Sequence, residues 1–263
     1  MKKYFQIYKA TLLDSIQYIS DILSGFLSLA VVIFVFICLW QYMYSDPSSL
    51  ISGYTYSQML WYVLITECIW YGTKSRTITK GISEDIKSGT IAYNLNKPYS
   101  YIGYIIAKYF GEITIRFFIS LLVCVTFGRI FIGNIEGFNF INIPMIAVIF
   151  IFAILINALI KIAIGLLSFF VEDATPFYWI YDKIILILGT MFPIELFPKL
   201  IRKFIMYSPI FVVNYGPAKL VVNFSFDLFK NVLLFQVVYI VIVSIIITLI
   251  YKKGGKKLSV NGG

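Results

Sequence analysis

Long apolar runs, separated by short polar intervals, set the pattern of this chain. Near 22–43, 57–73, 112–132, 143–171, 177–193 and 229–251 the residues stay hydrophobic for about the length a helix needs to cross a bilayer. A hydrocarbon core roughly 30 Å thick takes about 20 helical residues at 1.5 Å rise each. The runs are continuous rather than alternating, so they predict helices and not barrel strands, and in lipid a helix satisfies its own backbone N–H and C=O groups. The predicted fold is all-α and integral to the membrane: one transmembrane domain over 1–263 with six spanning helices.

The intervals carry their own patterns. Over 1–20, Tyr4, Tyr8, Leu12, Ile16 and Ile19 recur at three- and four-residue spacing, while Lys2, Lys3, Gln6, Lys9 and Gln17 take other positions. That is an amphipathic helix suited to lying in the head-group plane, with or without a cytoplasmic partner. In the 74–100 loop, Ile78, Ile82 and Ile86 make an i, i+4, i+8 ridge amid Lys80, Glu84, Asp85 and Lys87, with Gly89 at the C-cap position. So short a helix is marginal alone, so the ridge needs a surface, either lipid head groups or a groove on a separate cytoplasmic protein. Asn96, Lys97 and Pro98 break the helix before the chain re-enters at Tyr101. Gly103, Ala107 and Gly111 then leave one helix face nearly bare for close packing, within the chain or between two copies. Lys108, Glu112 and Arg116 form a charge ladder that reads as a solvated helix extension.

From 193 to 217, Pro193, Pro198, Pro209 and Pro217 cannot share one straight helix. Leu200, Ile201, Phe204 and Ile205 oppose Lys199, Arg202 and Lys203, giving a short amphipathic helix at the outer interface. The segment is expected to be broken and re-entrant, between spans 5 and 6. Such backbone at membrane depth must be covered by protein or line a wet cavity, which leaves a gate and simple interfacial packing as the two readings.

Composition narrows the classes. The chain is 60% hydrophobic and 13% charged, so no loop holds a soluble domain. A net charge of +9 suits an anionic partner, but the basic residues flank spans rather than forming one face, which points to membrane lipids and not nucleic acid. Lys2, Lys3 and Lys9, the loop group Lys74, Arg76, Lys80, Lys87 and Lys97, and Lys252, Lys253, Lys256 and Lys257 of the 252–263 tail belong on the cytoplasmic side. The loop after span 1, with Asp46 and Pro47, has no Lys or Arg and falls outside; Lys199, Arg202, Lys203 and Lys219 dissent. Both termini are expected in the cytoplasm, and span 1 is too long and too late for a cleaved signal peptide.

Two charges sit deeper: Glu67 and Lys161 lie at matched depths and are candidates for an intramembrane pair, with snorkelling by Lys161 as the other reading. Cys38, Cys68 and Cys124 fall in apolar runs without metal-ligand spacing. A membrane enzyme would want a convergent catalytic set, yet the chain has no histidine and its carboxylates are scattered. Gly72-Thr73-Lys74-Ser75 lacks the glycine spacing and residue order of a phosphate loop. A secondary transporter or channel, which would more often show paired broken helices in two halves, is the alternative class.

The loop Ile82-Ser83-Glu84-Asp85-Ile86-Lys87-Ser88-Gly89-Thr90-Ile91-Ala92 with Asn96-Lys97-Pro98 resembles the cytoplasmic loop of type-2 ABC exporter permeases. Asp173-Ala174-Thr175-Pro176-Phe177, Pro193-Ile194-Glu195-Leu196-Phe197-Pro198, Ser208-Pro209, Tyr215-Gly216-Pro217-Ala218 and the ending from Lys256 to Gly263 are similar in order and spacing. Gly189-Thr190-Met191-Phe192 departs from the glycine that usually precedes the proline-rich stretch. The resemblance implies a permease subunit in a bacterial cell membrane, paired with a second copy or a related permease and driven by two ABC ATPase subunits. It implies that Ile78, Ile82, Glu84, Asp85, Ile86 and Lys87 act as the coupling helix. Pro193, Glu195, Phe197, Pro198, Pro209 and Pro217 would form the outer gate. No cofactor is expected on this chain, with ATP and Mg on the partner, and the implied cargo is drug-like, lipid-like or peptide.

Overall fold

A computed structural model describes residues 2–44, 49–75, 77–95 and 97–261, without the side chains of 21, 22, 79, 95 and 257–261. Asp46, Pro47, Arg76, Asn96, Gly262 and Gly263 lie outside the described residues. Within them the regular structure is helical, apart from one isolated bridge between Ile51 and Tyr54. The α-helices are α1 (Lys2–Gln17), α2 (Ile19–Met43), α3 (Tyr56–Gly72), α4 (Ile82–Lys87), α5 (Thr90–Leu95), α6 (Tyr101–Phe131), α7 (Ile143–Leu166), α8 (Thr175–Ile185), α9 (Lys199–Met206), α10 (Gly216–Val222) and α11 (Phe226–Asn261). Wider π turns occupy Thr77–Gly81, Leu186–Thr190 and Phe211–Tyr215.

Among the described residues, four helices are long and apolar enough to cross a membrane: Leu23–Met43, Tyr101–Phe131, Phe140–Phe169 and Phe226–Lys256. Lys199–Met206 and Phe211–Val222, bent by 76°, add a fifth if counted as one span. The run at 57–73 becomes α3 at its expected 17 residues, whereas the run at 177–193 breaks up, α8 having 11 residues before it opens into a π turn of 5. Enclosure by protein lets so short an apolar helix as α3 stand. Every residue from Met59 to Ile69 is buried, as befits a helix apolar all round, and it packs against α2, α6 and α10. Its ends are finished by protein: Thr55 and Gln58 form a capping box, and the Thr73 hydroxyl donates to the Ile69 carbonyl.

The amphipathic N-terminus seats on α6, and the bare face supplies the room. A Cβ on Gly103 would come within 2.8 Å of the Tyr4 ring, and one on Gly111 within 2.7 Å of the Tyr8 carbonyl. The Gly103, Ala107 and Gly111 face therefore packs inside the chain against α1, not as a seam between copies. Tyr4 Oη also accepts the Ser100 amide at 2.9 Å, tying α1 to the start of α6.

The prolines divide the 193–222 segment as their geometry requires. Pro198 stands at the N-cap of α9 and Pro217 in the first turn of α10, where a missing N–H costs nothing. Pro209 falls in the break between α9 and the Phe211–Tyr215 turn. Leu200 and Phe204 are exposed while Ile205 is fully buried, so α9 grips the bundle by one residue and offers the rest of its apolar face outward.

Candidate functional site

Two buried polar assemblies lie in the bundle, one where the 74–100 loop meets α7 and α8, the other within the proline-rich segment. The first begins with the isoleucines. Ile78, Ile82, Ile86 and Ile91 are buried with Tyr109, Ile162, Leu166, Phe169 and Tyr178. The ridge thus faces this chain's own helices, which corrects both surfaces proposed for it: neither head groups nor a partner's groove receives it. The isoleucine spacing specifies a buried stripe, and the bundle is the apolar surface nearest to it. Lys80, Glu84 and Lys87 remain exposed on the opposite side, while Asp85 accepts the Tyr101 hydroxyl at 2.8 Å. Gly89, at φ +74°, turns the chain from α4 into α5.

The ladder Lys108, Glu112 and Arg116 is not simply a solvated extension. Glu112 accepts the Ser75 hydroxyl and the Thr77 amide, and Arg116 donates to the Lys74 carbonyl, so α6 fixes the exit from α3. Ser83 and Ser168 hydroxyls bond at 2.7 Å, attaching α4 to the end of α7. Beyond them, the Asp173 carboxylate accepts the Thr175 amide and hydroxyl at 3.0 and 2.8 Å, which holds its pKa below the usual carboxylate range. Lys87 approaches Asp173 at 3.8 Å, but both are half exposed, so that pair adds little stability.

Deeper in, the expected Glu67–Lys161 pair does not form. Lys161, 5% exposed, pairs instead with Asp182 of α8 at 3.1 Å. Matched depth fixes height along the membrane normal but not direction around the helix axis, and Lys161 points toward α8. Glu67 is also buried, with Oε2 lacking a hydrogen-bond partner. Around Lys161 the α7–α8 contact is polar. Tyr181 donates to Asn157 Oδ1 at 2.9 Å, Asn157 Nδ2 donates to Thr73 Oγ1 at 3.1 Å, and the Tyr178 hydroxyl lies 2.9 Å from the Lys161 carbonyl. Asp182, Tyr178 and Asn157 are absent from the sequence-predicted site, and Glu112 entered only as part of the charge ladder. The one available signal was a carboxylate at Asp182, a single helical turn after Tyr178 inside an apolar run.

The second assembly centres on Glu195. Its carboxylate accepts from Tyr215 Oη at 2.6 Å, from Tyr54 Oη at 3.1 Å and from Lys219 Nζ at 3.1 Å. The Lys219 ammonium also sits 3.7 Å from the Tyr54 ring centroid, and Arg202 donates to the Glu195 carbonyl. One side chain thereby joins the start of α3, the Ile194–Leu196 turn, the Phe211–Tyr215 turn and α10. Just below, the Thr66 hydroxyl reaches the Thr190 carbonyl at 2.9 Å and Asn214 Nδ2 donates to Thr190 Oγ1 at 2.8 Å. Thr190 of the departing Gly189-Thr190 stretch is thus itself a linker. Phe197 meets Phe192 edge-on, and Phe192 meets Trp40, which lays the proline-rich turn against α2. Among the described residues no group of His, Cys, Asp and Glu is placed to hold a metal ion.

Against known proteins, a family model described as "ABC-2 family transporter protein" matches residues 26–262, nearly the whole chain. Among curated proteins no match to the chain is found.

Proposed function

The chain belongs to the ABC-2 family of transporter proteins, and from that premise we propose that it is the permease subunit of an exporter powered by ATP bound and hydrolysed, with Mg, on separate ATPase subunits. Two ATPases would serve a pair of permeases in a bacterial cell membrane, with both termini of this chain in the cytoplasm. The observation that carries the reading is the two-sidedness of the 77–95 segment. Its isoleucines are set in the membrane bundle, and its Lys80, Glu84, Lys87 and Tyr93 are exposed on the other side. A partner that pushes on such a segment moves the helices to which it is fixed. ATP binding and release would then bias an inward/outward equilibrium, since a ligand shifts two states by its differential affinity for them.

At the opposite end the Glu195 assembly closes the path, because opening it requires Tyr54, Tyr215 and Lys219 to give up one shared acceptor. The exposed apolar faces of α8 (Trp179, Ile180, Ile184) and α9 (Leu200, Phe204) suit a second permease and an amphiphilic, drug-like or lipid-like cargo.

Charge reversal on the exposed face, Glu84→Lys with Lys87→Glu, should abolish co-purification of the ATPase while leaving the yield and melting of this chain unchanged. Wild-type ATPase recovery and hydrolysis in that variant would remove the docking face from α4. The placement of the proline-rich segment is separately testable. In a background lacking Cys38, Cys68 and Cys124, cysteines at Lys199 and Lys203 should react with an impermeant thiol reagent added outside intact cells. Reaction only from the cytoplasmic side would invert the segment and the six-span topology with it.

A further inference from the structure

One hydroxyl in the first assembly faces two acceptors on two different elements. Tyr178 Oη lies 2.6 Å from the Ile78 carbonyl, in the π turn that leads into α4, and 2.9 Å from the Lys161 carbonyl of α7. A tyrosine has one proton to donate, so both acceptors compete for it or share it. Tyr178 is 2% exposed, and water is not at hand to replace either bond. The approach to α7 depends on Gly165, four residues after Lys161. In an α-helix the side chain at i+4 overhangs the carbonyl of residue i, and a glycine there leaves that carbonyl open. A Cβ on Gly165 would come within 2.5 Å of Tyr178 Oη and 3.1 Å of the Ile82 side chain. The same bare spot therefore admits both the tyrosine and the ridge of α4. One turn further along α8, Asp182 holds the Lys161 ammonium, so α7 and α8 are bound together independently of the π turn.

From this geometry we infer that Tyr178 is a positioning residue for coupling. Its hydroxyl ties the α4 segment to the α7–α8 pair, Gly165 is the notch that seats it, and exchange of its proton between the Ile78 and Lys161 carbonyls lets the segment shift without unfolding the joint. This rests on the permease reading above. It goes further by naming the contact through which displacement of α4 is transmitted. Phenylalanine at 178 keeps the ring packing and loses only the link.

The test uses the intact permease–ATPase complex in phosphatidylethanolamine–phosphatidylglycerol vesicles, with a reporter cysteine at Lys199 in the cysteine-free background. In the unsubstituted complex, trapping with ATP, Mg and vanadate should change the rate at which the reporter reacts with an impermeant maleimide. In Tyr178→Phe the ATPase should still co-purify and hydrolyse ATP, while the nucleotide-dependent change is lost or reduced by about two- to tenfold, the range one hydrogen bond supports. A wild-type change in Tyr178→Phe overturns the inference. Failure of any ATPase to co-purify with the unsubstituted permease overturns the parent reading instead. A second arm needs no partner. Gly165→Ala should lower the melting temperature of the permease in the tyrosine background and lower it less in Tyr178→Phe, where the blocking oxygen is gone. Equal losses in the two backgrounds would show that the hydroxyl does not occupy the notch.

Discussion

Ile82→Asp is expected to collapse the yield of folded permease even in cells that contain no ATPase partner. Ile82 is fully buried, beside Gly165 and among Ile78, Ile162 and Tyr178, so the substitution removes packing worth about 2–5 kcal/mol for a large buried aliphatic side chain. It also places a carboxylate inside an apolar cluster, an additional cost that the protein meets by protonating the group or excluding it. The measurement is the monodisperse fraction after detergent extraction, with the Glu84→Lys chain as the control from the same helix. Glu84 is exposed, so its reversal should leave that fraction at the wild-type level. If Ile82→Asp instead extracts and melts like wild type and loses only the ATPase, the ridge faces outward and the packing described for α4 is wrong.

This contrast shows where the sequence was sufficient. The spacing of Ile78, Ile82 and Ile86 announces a buried stripe and Gly89 its end, because helical period and left-handed backbone are local properties. Which surface covers the stripe is not local. A lipid interface, a partner's groove and the chain's own bundle all ask for the same apolar side chains, and only the fold brings Tyr178 and Leu166 to it. The proline-rich segment was legible for the same local reason: proline forbids a continuous helix whatever surrounds it. Glu195 was legible as part of that segment, but Tyr54, its partner across 141 positions of sequence, was not. The bare Gly103–Gly111 face said that something packs closely and could not say that α1 does. At 177–193 the apolar run was legible and its break was not, since hydropathy does not say that the α-helix ends at Ile185 and continues as a π turn.

Charge inside the bundle gives the sharpest case, because depth is legible and azimuth is not. Asp182→Asn should destabilise the permease by up to about 3 kcal/mol, the low end for a buried pair because one partner is already part-exposed. The stranded group would be the Lys161 ammonium, whose side chain is 6% exposed, against 39% for its aspartate partner. Lys74 interacts electrostatically with Lys161 and adds like charge to the region. The two halves of the pair are therefore unequal. Lys161→Met strands only a carboxylate that solvent or head groups already reach, so it should cost clearly less than Asp182→Asn. The double variant should recover most of what Asp182→Asn loses. Glu67 provides the discriminating control: with no ion pair to Lys161, Glu67→Gln should be near neutral and additive with Lys161→Met in a double-mutant cycle. Thermal unfolding of the three single and two double variants in one detergent reads both cycles. Recovery in the Glu67–Lys161 cycle together with additivity in the Asp182–Lys161 cycle would reverse the pairing, and with it the polar seam that binds α7 to α8 beneath the Tyr178 joint.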